Sequence, residues 1–206
     1  MRSTCVALML AFPLLAHAEA KGPEFYLAPG RFSPASNAQL ANPSGQYGLA
    51  LGGGGRFSPY FSWNVDLLFA DARIDTPKGF VPPGFFITQS GRAHLETWGL
   101  GGMLKAHLPL GIFDFHAGGG PGFYKSTLTV ERGVVFFPVF ANQEIKRSDQ
   151  GLGLQWVAGA DARLGERWRL GFQWRRLDFE AQLGAEVPGE VNTGGNFGLL
   201  YSRWAF

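Results

Sequence analysis

The sequence holds a single cysteine, Cys5, and it falls within the first twenty residues. Whatever folds beyond that segment has no disulfide to close it, although disulfides are common in exported proteins. Excess charge of either sign is missing too: 18 Lys and Arg stand against 16 Asp and Glu. That balance gives no electrostatic case for a nucleic-acid partner. Long apolar runs are absent after the leader, where no stretch reaches the roughly 18 residues of a membrane helix. Helical periodicity of about 3.6 residues is lacking as well.

The leader itself, "MRSTCVALMLAFPLLAHAEA", has Arg2, an apolar run from Val6 to Leu15, and the small-residue motif "AHA" at 16–18. This is the layout of a secretory signal peptide over residues 1–18, with cleavage after Ala18 and Ala20 as the alternative site. An anchor helix is the other reading, and the apolar run is too short for it. Cys5 sits too early to be a lipoprotein cysteine. Removing 1–18 takes away Arg2 alone among charged residues and leaves 17 basic against 16 acidic ones. Residues 19–206 then form one domain.

What the chain does have is glycine, 30 of them, and aromatic residues, 15% of the total. That mixture favours strands and turns over helices. Apolar and polar residues alternate with period two, and the pattern recurs eight times. In "RWRLGFQWRR" (167–176), Trp168, Leu170, Phe172 and Trp174 fall on one side, and Arg169, Gly171, Gln173 and Arg175 on the other. A strand points successive side chains to opposite faces, so one face here is wholly apolar. "YFSWNVDLLFA" sets Phe61, Trp63, Val65, Leu67 and Phe69 against Asn64, Asp66 and Ala70. "ETWGLGGMLKA", "IFDFHAGGGPGFY", "GLGLQWVAGADARLG" and "QYGLALGGG" repeat the theme, with "PEFYLAPG" as first strand and 195–206 as last. Connections near 57–61, 107–112 and 164–167 read as tight. Those at about 31–43, 72–91, 128–149 and 181–194 read as long loops. Alternating short and long links describe an up-and-down antiparallel meander.

A soluble barrel would turn its apolar face inward; a membrane barrel turns it to lipid. Residue size decides between them. The apolar face carries Trp, Phe and Leu, and the polar face carries Gly and Ala with a few charged residues. An eight-stranded barrel has an interior just wide enough for side chains, so the small face belongs inside. The aromatics also cluster as a membrane girdle would: Tyr60, Phe61, Trp63, Phe113, Trp168, Trp204 and Phe206 lie near the short turns or the C-terminus. Trp98, Trp156 and Trp174 are candidates for the opposite rim. Closure of the barrel removes both sheet edges, as lipid requires. The expected fold is an all-β, eight-stranded, antiparallel transmembrane β-barrel with short periplasmic turns and long extracellular loops.

The leader, "WGLGGMLKAHLPLGIFDFHAGGGPGFY" (98–124), "GLGLQWVAGADARLGERWRLGFQWRRLDF" (151–179) and the terminal "GLLYSRWAF" resemble the small outer-membrane β-barrel superfamily, the OmpA/OmpX-type and opacity-protein-like porin family. The resemblance covers the whole chain after the leader and implies a place in the bacterial outer membrane, without an activity. It implies outer-membrane lipids as surroundings, and periplasmic chaperones and the barrel-assembly machinery as partners during biogenesis. Leu200, Trp204 and Phe206 match the C-terminal signal read by that machinery. Ser202, where an apolar residue is usual, departs from it. A monomer is expected.

The alternation assigns an inward polar set: Asp66, Lys105, Asp114, His116, Asp161, Arg163, Arg169, Arg175 and Arg203, with Glu24, Tyr26, Gln46, Asn64, Gln155, Gln173 and Tyr201. Acids and bases are mixed, so ion pairs are expected in so narrow a space. The set reads either as a polar plug or as a narrow conduit for water or small ions. "GFVPPGFFITQ" (79–89) and "GVVFFPVFANQ" (133–143) are unusually apolar for loops. Either the strands run on past the membrane there, or Phe80, Phe85, Phe86, Phe136, Phe137 and Phe140 form a mouth for an apolar compound, a lipid or a partner surface. The expected role is structural or interactive, with a narrow channel or a receptor for a small apolar compound as the alternative.

Enzymes occur among eight-stranded outer-membrane barrels, notably lipid A acyltransferases and deacylases, but no nucleophile with its base and acid is legible here. His116 alternates with Asp114 without a serine in place. His94 and Glu96 share a face, and His107 stands in a turn. No catalytic residue, cofactor or metal site is expected. "GGGG" at 52–55 and "GGGPG" at 118–122 lack the lysine and following helix of a phosphate loop.

Overall fold

A computed structural model describes residues 22–35, 43–75, 92–136, 139–182 and 191–206. Eight long strands close into an antiparallel barrel: β1 (Pro23–Pro34), β2 (Pro43–Ser58), β3 (Phe61–Asp75), β4 (Arg92–Leu110), β5 (Phe113–Phe136), β6 (Val139–Arg163), β7 (Trp168–Asp178) and β10 (Gly195–Ala205). Around the barrel the order is β1-β10-β7-β6-β5-β4-β3-β2. Two short strands, β8 (Glu180–Ala181) and β9 (Val191–Asn192), pair with each other between β7 and β10.

Closure is made by β1 against β10, from Glu24↔Ala205 up to Pro34↔Gly195. The backbone N–H of Phe206 donates to the carbonyl of Pro23 at 3.1 Å, so the chain ends inside the ladder. That end of the barrel also carries all three tight turns: Pro59–Tyr60, Gly111–Ile112 and the bend at 164–167. Gly111 has φ +65°, the left-handed conformation a two-residue turn needs and glycine adopts without a Cβ clash.

The outward face is the one the alternation assigns. Trp63, Phe172 and Trp204 are 48%, 56% and 48% exposed, whereas Arg203 is 3% exposed. Every aromatic residue of the lower girdle named above points outward, as do Trp98, Trp156 and Trp174. On β4, outward Leu108 and Trp98 are ten residues apart. At about 3.3 Å per residue and a tilt of about 40° this is roughly 25 Å of height, the hydrocarbon span of an outer-membrane barrel. Between the two aromatic levels Ser202 is a polar residue on that face. The indole Nε1–H of Trp168 donates to its Oγ at 2.6 Å, which satisfies both groups.

Two segments differ from the sequence reading. The stretch 128–149 is strand and not loop, and of the two readings of 133–143 the continuing strands are the one found: β5 and β6 run to 24 and 25 residues and pair up to Phe136↔Val139. A spanning strand needs only about 9–11 residues, so this hairpin projects well beyond the rim. Polar residues such as Lys146, Arg147 and Ser148 look like loop in sequence, but each finds a ladder partner across the hairpin. Likewise 107–110 belongs to β4, and the turn is Gly111–Ile112 alone.

The interior corrects a further expectation. Small residues do line it and Tyr26 and Tyr201 are inside as the alternation assigns, yet Tyr124, Phe32, Phe179 and Phe197 are buried there as well. Glycine makes the room. A Cβ on Gly48 would stand 2.7 Å from the ring of Phe197, and one on Gly101 would stand 2.1 Å from Gln155 Nε2. Large side chains on one strand occupy the space glycine leaves on another, the large-and-small pairing of small barrels.

Candidate functional site

The barrel interior is the candidate site, and it has two storeys. The lower one, toward the short turns, is ionic. Arg175 Nη2 lies 2.6 Å from Asp66 Oδ2. Tyr26 donates its hydroxyl proton to the same oxygen at 2.5 Å, and Arg175 donates to Tyr26 Oη and Gln155 Oε1 at 3.2 Å each. Gln155 returns a 3.4 Å hydrogen bond to Asp66 Oδ1. Gln173 adds its amide oxygen, 3.1 Å from Arg175 Nη2. A guanidinium with no exposed surface is thus wrapped by acceptors, the condition for tolerating a buried charge.

A second cluster lies nearer the turns. Asp114 takes contacts from Arg56 and from Arg169 Nη1 at 3.2 Å, and Arg169 also reaches Asp161 at 3.3 Å. Arg203 bridges Glu24 at 3.2 Å and Asp161 at 3.4 Å, and Tyr201 donates to Asp161. His107 stands between Asp114 and Ser62: Nδ1 is 3.0 Å from Asp114 Oδ2 and Nε2 is 2.8 Å from Ser62 Oγ. A carboxylate only accepts, so Nδ1 carries a proton, and in the neutral ring Nε2 then accepts from the serine.

The upper storey is apolar. Phe32 and Phe197 meet at 4.6 Å between ring centroids, and Tyr124 and Phe179 at 5.9 Å. Leu68, Leu95, Leu128, Leu177 and Leu199 fill the spaces between them. The β8–β9 pair straps over this layer. Phe179 and Ala181 are buried, and the N–H groups of Thr193 and Gly194 donate to the carbonyl of Phe179 at 2.9 and 3.3 Å. A hydroxyl relay fixes the strap: Thr97 and Ser126 are 2.7 Å apart, and Ser126 donates to Thr193 Oγ1 at 2.8 Å.

Of the inward residues named from sequence, Asp66, Lys105, Asp114, His116, Asp161, Arg175 and Arg203 are buried together in the lower storey. Arg169 joins them half-buried, and Arg163 is half-buried beside the turn, across from Arg169. Leu200, Trp204 and Phe206 point outward. Phe80, Phe85, Phe86 and Phe137 lie outside the described residues. Phe136 and Phe140 fall near the tip of the long hairpin, with Phe140 facing Val135 in the ladder. Arg56, Ser62 and His107 are interior residues that the reading above missed. Their signal was parity: Arg56 continues Gly52 and Gly54, Ser62 continues Asn64 and Asp66, and His107 continues Lys105. Pro59 and Pro109 disguised Arg56 and His107 as turn.

Comparison with known proteins agrees with this geometry. Solved structures of similar shape include outer membrane protein OprG from Pseudomonas aeruginosa, at 14% identity and TM-score 0.57, covering 92% of this chain and 98% of that one. Neisserial surface protein A matches at 11% identity and TM-score 0.53 over 90% and 97%. Ail, the attachment invasion locus protein of Yersinia pestis, matches at 14% and 0.50 over 91% and 100%. No curated protein matches the chain in sequence. The family model for the outer membrane protein beta-barrel domain matches residues 4–201. With an outward apolar band of membrane height and a closed eight-stranded barrel, the chain belongs to that family and resides in the bacterial outer membrane.

Proposed function

We propose that the protein is a closed-lumen envelope barrel whose working surface is its extracellular side, above all the β5–β6 hairpin. The observation that carries this is the strapped apolar storey. Water and ions cross where free polar groups line a path; among the described residues this layer is filled by the rings of Phe32, Phe197, Phe179 and Tyr124 and by leucines, and the hydroxyls of Thr97, Ser126 and Thr193 bond to one another, which supports a lumen without an open path. The Ser62–His107–Asp114 chain follows the order of nucleophile, base and acid. Asp114 is shared with Arg56 and Arg169, and Ser62 is buried, so the chain acts as a brace for the lumen. Structural neighbours with the same fold include one named a surface protein and one named an attachment invasion locus protein, which supports a surface role.

Export by residues 1–18, handling by periplasmic chaperones and insertion by the barrel-assembly machinery through Leu200, Trp204 and Phe206 complete the proposal. The outward, membrane-level position of those three side chains supports the last step. The barrel needs no second copy to close its edges, which supports a monomer. The test is genetic. Deleting the gene should weaken envelope integrity or adhesion. A chain with the hairpin shortened to 128–149 bridged by a tight turn should restore integrity but not adhesion. Equal rescue of both by the shortened chain contradicts the hairpin's role.

A further inference from the structure

The outward band is apolar but not evenly filled. Across β2, β3 and β4 the register aligns its residues into three rows. The upper row is Leu51, Leu67 and Leu100, and the lower row is Gly55, Trp63 and Leu104. Between them runs a row of Gly53, Val65 and Gly102, and Phe25 of β1 closes one end of it beside Gly53. Leu51, Leu67, Leu100, Trp63 and Leu104 all stand exposed on the outer face, so the middle row is a trough between two ridges.

The trough is empty of protein. A Cβ on Gly102 would meet nothing within 4 Å, and one on Gly53 would meet only the carbonyl oxygen of Glu24, at 3.4 Å. From Gly53 to Gly102 the floor crosses two strand spacings, roughly 10 Å. At its β1–β3 end lies a cavity of about 600 Å³, whose lining includes Gly22, Pro23, Gly53, Gly55, Trp63 and Val65. That volume is in the range of sites that hold a small ligand. One polar group stands at this end. A Cβ on Gly55 would be 3.5 Å from Trp63 Nε1, so the nitrogen edge of the indole overhangs that glycine. Among the described residues the Trp63 N–H has no hydrogen-bond partner. Trp168, in the same girdle, differs: its N–H donates to Ser202.

We propose that the trough holds one glycerophospholipid of the periplasmic leaflet. One acyl chain lies along Gly53, Val65 and Gly102, between the leucine ridge and the Trp63 ridge. An ester carbonyl oxygen of that lipid accepts from Trp63 Nε1. The position of the trough selects this occupant. It is continuous with the apolar band that the membrane covers, so hydrocarbon is what fills it. Trp63 belongs to the girdle beside the short turns, so the chain enters from the leaflet on that side. The lipid is held in one place, whereas the ridged surface elsewhere gives a chain no recess of this kind. The site is independent of the hairpin's role at the cell surface.

The test uses the full barrel in vesicles of phosphatidylethanolamine and phosphatidylglycerol, with a small share of phospholipid carrying a photoreactive group midway along one acyl chain. After illumination, mass spectrometry of the peptides should find the label concentrated on 51–67 and 100–104 relative to the outward residues of β6 and β7. Native mass spectrometry of the barrel released in mild detergent should show one retained phospholipid. Gly53→Leu combined with Gly102→Leu fills the trough, and both positions have room for the new Cβ. That variant should lose the retained lipid and the concentration of label while keeping the gel mobility of a folded barrel. If it does not fold, Gly102→Leu alone should reduce both signals. Trp63→Phe should loosen retention about fivefold, the effect of one lost hydrogen bond, and Trp168→Phe should not. Label spread evenly around the barrel, or a filled trough that retains lipid as before, overturns the proposal. So does a second copy of the chain found seated on the trough in place of lipid.

Discussion

The two halves of the barrel interior are filled by different chemistry on the same strands. β1 carries Glu24 and Tyr26 at one level and Ala28 and Phe32 above them; β7 carries Gln173 and Arg175, then Leu177. The lower half depends on matched partners. Each guanidinium needs acceptors in fixed directions, and losing one strands another. The upper half depends on volume, since rings and leucines need only contact. One storey is therefore held by direction and the other by volume. Both are compatible with an outward face that is continuous and apolar, because the outside parity is shared.

Mutations can break this contrast in order of severity. Asp66→Ala should cost the most, about 4 kcal/mol, because Arg175 is left charged and buried without its carboxylate. The double change Asp66→Asn with Arg175→Met should recover most of that loss. Urea unfolding in micelles read by tryptophan fluorescence checks both. Leu177→Ala in the upper storey should cost about 3 kcal/mol through a cavity, with no partner whose replacement rescues it. Thr193→Val should cost about 1 kcal/mol, since Ser126 loses its acceptor. Its effect should appear as faster hydrogen exchange at Thr193 and Gly194 before any global change. Arg176→Gln, which removes the half-exposed pair with Asp178, should change stability by no more than about 0.5 kcal/mol. If Leu177→Ala proved rescuable by a polar partner, or the double change at 66 and 175 no better than Asp66→Ala, the two storeys would not differ in kind.

The fold was largely legible because a strand's period of two survives in the residues themselves. Trp168, Leu170, Phe172 and Trp174 declare a face without reference to any neighbour. The outward orientation followed from residue size, the aromatic girdle and the need to close the edges. What remained hidden depends on register, which a strand does not carry by itself. That Arg175 meets Asp66, and His107 meets both Asp114 and Ser62, is decided by how strands align around the ring. The upper storey was hidden for a related reason. Phe32 and Phe197 occupy inward parities, but only the register shows that Gly48 stands opposite Phe197 and leaves it space. The long hairpin was legible only at its apolar 133–143, where continuing strands were one reading; its charged residues at 144–149 resemble loop, and the pairing that makes them strand lies across the chain.

The central claim is that an apolar, strapped layer closes the lumen above its ionic half. Reconstitution of the purified, folded protein in planar lipid bilayers tests it directly. The account predicts a silent membrane at all applied potentials, with current steps appearing only when the β8–β9 strap is deleted. Discrete, reproducible conductance steps from the intact protein would contradict it.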